Sequence, residues 1–234
     1  MACLHMSRYL VSMSFALCAV GLVTWYLSFQ SSTPTATEDL RTVLGAKGSL
    51  LFEESFDAAE LSTKWAHSAG WLRLNQGALA VSEDPIDKQR AKFGHAVEAQ
   101  DCAVQFDFKL DDEALFLGFR FALATGATLK DGYLLSSVGV SPRGWSLIGQ
   151  GDKVDAKQQY EVRATQKTTF EPDKWYTLLV ESHGDNVVAQ IAGKETLKVT
   201  SSHFNTKKSR LDFHVTGPNE KAVRFDNVKV WELK

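Results

Sequence analysis

Arg120 stands in FLGFRF with Phe119 and Phe121 on either side. A guanidinium among aromatic neighbours is costly to desolvate, so it is kept only where it is paired or faces a cleft. Asp107 and Asp212 occupy outward positions of other strand-like segments and are its candidate partners; the alternative is a guanidinium presented to a ligand. Asp212 and His214 are two residues apart, hence on one face of a strand. Such a pair can do general acid/base work, bind an anion, or simply face solvent. Trp145, beside Arg143 in SPRGWSL, and Tyr133 in GYLLSSV are the candidate aromatic platform for a sugar ring. The candidate catalytic centre is therefore Arg120, Asp107, His214 and Asp212, and the candidate ligand-binding set is Tyr133, Arg143, Trp145 and Arg120. His67, His95, His183 and His203 fall in expected turns or strand ends and show no metal-ligand spacing.

The segments that must position these side chains alternate with period two. Val104, Phe106, Phe108 and Leu110 interleave with Gln105, Asp107 and Lys109, a strand with one buried face. Leu115, Leu117, Phe119 and Phe121 oppose Phe116, Gly118, Arg120 and Ala122; both faces are largely apolar, which predicts a central strand. Further strands are expected at Trp175–Val180, Asn186–Ile191, Leu211–Thr216 and Val223–Leu233, separated by turns such as Glu171-Pro172-Asp173 and His183-Gly184-Asp185. The apolar parity of the last strand shifts between Phe225 and Val228, so a bulge is expected near Asp226-Asn227. Many short strands without a helical period imply an all-β, two-sheet antiparallel sandwich.

The N-terminus carries a different signal. Tyr9 to Phe29 is a run of 21 residues without a charge, long enough as a helix to cross a hydrocarbon core of about 30 Å. Arg8 precedes it and Glu38 and Asp39 follow, which places the rest of the chain on the exported side. A cleaved signal peptide is the competing reading. Its apolar region is shorter, and Trp25, Tyr26 and Phe29 occupy positions where a small-x-small cleavage site would lie. The expected organisation is a transmembrane signal anchor over 1–30, a linker over 31–48 with a short helical turn near Glu38–Lys47, and a single domain over 49–234. The protein is secreted instead if the first segment is cut. The net charge of −2, with no long basic run, makes nucleic acid a poor partner. The small cluster Lys207, Lys208 and Arg210 reads as a solvated turn. Cys102 is the one cysteine of the exported domain and reads as a buried small apolar residue.

The order of motifs carries a resemblance. LFEESFDAAELSTKW (Leu51–Trp65), GWLRLNQGALAVSE (Gly70–Glu83), CAVQFDFKLDDEALFLGFRF (Cys102–Phe121), FEPDKWYTLLVESHGDNVVAQIAGK (Phe170–Lys194) and AVRFDNVKVWEL (Ala222–Leu233) together resemble the concanavalin A-like, laminin G-like jelly rolls. Among these the chain is most similar to the bacterial 3-keto-disaccharide hydrolase family and its short exported relatives. The resemblance implies a jelly-roll sandwich with Trp65, Trp71 and Trp175 in its core. No cofactor is expected beyond a candidate structural calcium, for which Glu54 and Asp57 near the first strand and Asp226 in the last are placed like the ligands of many sandwich carbohydrate-binding domains; the alternative is that Asp226 serves the bulge. FLGFRF keeps the Gly and Arg of that family's strand but not its Asn-Ser, and GYLLSSV keeps Tyr133 but lacks the Glu and Gln. The Glu-x-Asp-x-x-Glu motif of sandwich-fold glucanases is also absent. Retaining glycoside cleavage needs two carboxylates about 5–5.5 Å apart, and the outward pair Asp107 and Lys109 is not one.

These readings lead to an expected function: a membrane-anchored, exported module that binds a glycan or cell-envelope polymer without catalysis. The alternatives are a hydrolase acting on a sugar derivative, and a structural domain that packs against another envelope protein. Convergence of Arg120, Asp107, Asp212 and His214 in one cleft would favour the hydrolase, and an ion pair closing off Arg120 would weaken it.

Overall fold

The computed structural model describes residues 39–86, 88–112, 115–122, 134–150, 161–217 and 221–234. The 1–30 anchor, most of the linker and Tyr133 lie outside the described residues, among which no helix is long and apolar enough to cross a membrane. Fifteen strands follow in chain order: β1 (Lys47–Glu54), β2 (Trp65–Ala69), β3 (Trp71–Leu74), β4 (Leu79–Ser82), β5 (Ala91–Ala99), β6 (Cys102–Leu110), β7 (Phe116–Ala122), β8 (Leu134–Ser141), β9 (Gly144–Gln150), β10 (Glu161–Lys167), β11 (Trp175–His183), β12 (Asn186–Ile191), β13 (Leu197–Thr200), β14 (Lys208–Thr216) and β15 (Val223–Leu233). They form two antiparallel sheets. One runs β13-β12-β11-β6-β15-β4-β3, with β1 also pairing β15; the other runs β10-β9-β8-β7-β14-β5-β2. This is the expected all-β sandwich, with β7 central in the second sheet.

The strands with the clearest alternation sit where that pattern puts them. β12 and β15 have the expected bounds, and β15 carries its bulge: the register against β6 shifts between Asp226 and Lys229, and Asn227 has φ of 51°. The inner faces meet in an aromatic core. Phe213 stacks on Phe93 with centroids 4.8 Å apart, and Phe106, Phe119, Phe225 and Trp65 approach the same ring at 5.1–5.9 Å. These rings come from both sheets, so they clamp the layers together and contribute beyond their buried area. Cys102 is buried as expected, and its thiol is pushed up to about 12 by that burial.

Two local readings are corrected. Lys208 is not part of a solvated turn. It is fully buried at the start of β14, where Nζ donates to the carbonyls of Gln100 (2.6 Å) and Phe204 (2.8 Å), and burial lowers its pKa. The long aliphatic stem allows this, since only the ammonium needs polar partners. The described part of the expected linker, Asp39–Ala46, has no helical turn. It lies as an irregular strap on the outer face of the first sheet. Glu181, with no exposed surface, accepts the backbone N–H groups of Val43 (2.9 Å) and Leu44 (2.9 Å) and the side-chain amide of Gln190 (3.0 Å). Gln105 closes the other end, accepting from Leu40 N–H and donating to Asp39. Leu40 then packs beside Trp231 over a small outer cluster of Ala103, Leu179 and Leu233.

A charged acceptor serving two backbone donors anchors this strap, and hydrogen bonds to charged groups are the stronger ones. Glu181→Ala should therefore destabilise the domain by about 2–4 kcal/mol. It should also expose the strap, so that trypsin cuts at Arg41 faster than in the parent while the sandwich itself resists.

Candidate functional site

The core decides which side chains reach the outer face of the second sheet. Phe119, Phe121 and Phe213 point inward, so Arg120, Asp212 and His214 point outward. The register aligns them in rows across the strands. Asp212 pairs with Gly94 on β5 and Arg120 on β7, and Arg120 pairs with Ser137 on β8. The next row runs Lys92, His214, Gly118 and Gly139.

The β5 and β14 members of these rows, with Arg120, line an open groove of about 260 Å3. Its polar lining is Arg90, Lys92, Arg120, Arg210, Asp212 and His214, with His67 and Ser68 of β2 at the rim. Three of the four residues expected to form a polar centre thus converge. Asp107 does not: it belongs to the first sheet, where it is buried, accepting from the hydroxyl of Thr177 (2.7 Å) and the amide of Asn227 (2.9 Å). Its outward parity was read correctly, but outward on β6 is the far side of the sandwich from Arg120.

The expected ion pair of Arg120 is not formed among the described residues. Its cross-strand neighbour Asp212 accepts instead from Nε of Arg210, two residues away on the same strand. Nε of Arg120 is buried without a hydrogen-bond partner. His214 is not a dyad partner of Asp212 either, because its Nδ1 is buried and unpartnered. The imidazole lies over Gly118, where any Cβ would run into the ring, and beside Phe116 at 5.6 Å. Burial lowers the His214 pKa to about 4, with further lowering by Arg120, Arg90 and Lys92. The ring is neutral at pH 7. Among the described residues Asp212 is the one acidic side chain lining the groove, so the described lining holds no pair of carboxylates for retaining or inverting glycoside cleavage.

The expected platform is corrected. Trp145 is buried in the core, with Nε1 donating to Gln166 at 2.7 Å. The β8–β9 hairpin closes at Ser141 and Gly144, so the turn is only Pro142 and Arg143. Trp145 is already a strand residue of inward parity, opposite Val140. Arg143 is exposed at the tip of that hairpin and does not line the groove. Trp71, expected inside, is 37% exposed, with the Arg73 guanidinium 4.4 Å above its ring. His95 is mid-strand rather than in a turn, and stacks on Phe52 at 3.8 Å.

Two carboxylates of the candidate calcium set, Glu54 and Asp226, accept hydrogen bonds from the chain itself. Glu54 accepts from the backbone N–H of Phe56 (3.1 Å) and from the Trp65 indole (3.4 Å). Asp226 accepts from Asn227 N–H at 2.7 Å. Asp57 lies near enough to Asp226 to oppose its ionisation. Among the described residues no group of three His, Cys, Asp or Glu side chains is arranged to hold a metal ion. Burial, with Asp107 and Asp57 nearby, raises the Asp226 carboxyl to about 6.

Arg90 and Lys92 were not among the sequence candidates. The usable signal was the alternation Ala91-Lys92-Phe93, in which a cation sits between two inward apolar residues.

No protein-family model matches the chain, and no curated protein matches it. Solved structures do. A LamA variant from Z. galactanivorans in complex with laminaritriose and laminaritetraose superposes with a TM-score of 0.61 at 11% identity, covering 80% of this chain and 100% of that one. The carbohydrate-binding module CBM66 from Bacillus subtilis gives 0.54 at 15% identity over 73% of this chain and 96% of the module. A sialidase gives 0.56 at 16% identity over 80% of this chain, which spans only 19% of that protein. At these identities the likeness is one of fold, and the fold is the concanavalin A-like jelly roll.

Two outcomes follow from the site. Gly118→Ala forces the His214 ring to move and should cost about 1–3 kcal/mol; in a His214→Ala background the same change should cost almost nothing, a coupling that a double-mutant cycle on thermal or urea unfolding reads directly. Asp226 is raised from 3.8 to about 6, so its ionisation opposes folding, with no penalty below pH 3.8 and the full penalty above pH 6. Asp226→Asn should raise stability by about 1–3 kcal/mol at pH 7–8, with the gain vanishing near pH 4. His214 has the opposite sign, since its contribution is complete above pH 6.5 and is lost as pH falls toward 4. The Asn variant should therefore show a steeper rise in stability between pH 4 and 6.5 than the parent.

Proposed function

We propose that this chain is a glycan-binding jelly-roll module whose ligand lies across the outer face of the second sheet, over Arg120, Asp212 and His214. The observation that carries the reading is Arg120: a half-buried guanidinium in an open groove, with a desolvated Nε that no described group satisfies. A sugar hydroxyl or ring oxygen is the kind of acceptor that completes it. The presence among fold neighbours of a carbohydrate-binding module and of a complex with laminari-oligosaccharides supports a sugar ligand.

Binding without catalysis is the reading that the chemistry favours. Among the described residues the single acidic side chain of the groove is held by Arg210, and no carboxylate orients His214. We place the module on the exported side of a membrane, anchored by residues 1–30, on the strength of the uncharged 21-residue run with Arg8 before it and Glu38 and Asp39 after it.

A glycan array probed with the full-length chain and with Ala66→Trp tests the site. Ala66 is exposed and lines the groove, so an indole there fills the cleft without touching the core. The expected result is a set of bound glycans whose affinity falls at least tenfold in the variant, with an unchanged melting temperature. Equal binding by both proteins would place the ligand elsewhere on the sandwich.

A further inference from the structure

The groove has a charge that a neutral sugar does not answer. Among the described residues four cations line it, Arg90, Lys92, Arg120 and Arg210, against one carboxylate, Asp212. Arg210 and Asp212 are joined by a salt bridge and offset one another. Arg90, Lys92 and Arg120 remain, with no ion pair to any described residue. The chain as a whole carries −2, so this is a local concentration of positive charge and not a property of the surface at large.

The three cations sit at different depths. Arg90 and Lys92 are exposed at the rim, where water screens them, whereas Arg120 is half-buried in the floor. A desolvated guanidinium gains most from an anionic acceptor, because charge-assisted hydrogen bonds are about twice as strong as neutral ones and a carboxylate or sulfate matches its fork. His214 beside it is 7% exposed, with an unpartnered Nδ1. The same cations that attract an anion disfavour a proton on this ring, and they help hold its pKa near 4. A neutral imidazole retains one N–H for a ligand oxygen.

We propose that the groove recognises an anionic substituent on its glycan, a carboxylate or a sulfate ester, seated on Arg120 with Arg90 and Lys92 drawing it in. This rests on the glycan-binding reading above and specifies the class of glycan: an acidic polysaccharide. Both substituents present two or three coplanar or fanned oxygens to a guanidinium, so the chemistry is shared and the two sources are separated by experiment.

The test is isothermal titration of the full-length chain with polygalacturonate, a sulfated galactan and neutral laminarin, each at low and at 300 mM NaCl. One acidic polymer is expected to bind at least tenfold more tightly than laminarin, and which one identifies the substituent. Its affinity should fall severalfold with salt, as exposed cations are screened. Arg120→Gln should lose tenfold or more. Lys92→Gln, at an exposed position that does not affect folding, should lose two- to fivefold, and melting curves of both variants establish that they are folded. Tight binding of laminarin, unchanged by salt and by Arg120→Gln, would overturn the anionic assignment and leave the module a glycan binder. Binding of an acidic polymer that neither variant weakens would remove it from this groove. Failure to bind any of the three polymers, or any glycan on the array, would overturn both readings.

Discussion

The ring of Phe213 is the point on which fold and site both turn. It lies on the inner face of β14, stacked on Phe93 of β5 and packed against Phe119 of β7, with Phe106 and Phe225 of the opposite sheet closing over it. Because side chains alternate along a strand, burying these rings leaves no freedom in what faces out. Asp212, His214, Arg120, Lys92 and Gly94 reach the groove because Phe213, Phe119 and Phe93 cannot. A one-residue slip of β14 would put Asp212 and His214 into an aromatic core, where an unpaired carboxylate is prohibitive. The hydrophobic layer therefore does more than stabilise the sandwich. It selects the chemistry of the exposed sheet.

The same logic explains the glycines of the site. Gly118 leaves room for the His214 imidazole to lie flat on the neighbouring strand, and at Gly94 a Cβ would meet the Leu211 carbonyl at 2.5 Å and the Asp212 carboxylate at 2.8 Å. Small residues in a strand interior weaken its packing, and they are kept where another group approaches the backbone. Here the approaching groups are the polar side chains of β14: Gly94 lines the groove, and Gly118 lies beneath the His214 ring.

Much of this was legible in the sequence, for a specific reason. The strands with strict alternation, β6, β7, β14 and β15, are the ones that bury a full face, and their parity correctly assigned Arg120, Asp212 and His214 to one outer surface. Three things were not legible. Parity says which face a residue takes but not which sheet, so Asp107 was grouped with residues on the far side of the sandwich. Turn length sets where parity begins, and SPRGWSL does not reveal that the turn is only Pro142-Arg143, which makes Trp145 an inward strand residue and not an exposed platform. Buried polar residues with distant partners leave no local pattern. Besides the nearby Phe204 and Gln190, Lys208 reaches Gln100 across 108 residues and Glu181 reaches Val43 across 138, and no local pattern announces those distant contacts.

The two outer faces differ in how their buried polar groups are met. On the first sheet Glu181 is satisfied by the strap, Asp107 by Thr177 and Asn227, and Gln105 by Asp39 and Leu40, and the Ser182 hydroxyl is the buried side-chain group there without a partner among the described residues. On the second sheet Arg120 and His214 each keep a buried nitrogen without a partner among the described residues. Unmet donors and acceptors are expensive, and a fold that satisfies Glu181 at a distance of more than a hundred residues is capable of satisfying Arg120 as well. Leaving it unmet is coherent if the missing acceptor comes from outside the chain. The covered sheet is then the structural one, locked beneath its own N-terminal strap, and the open sheet is the one that meets a ligand.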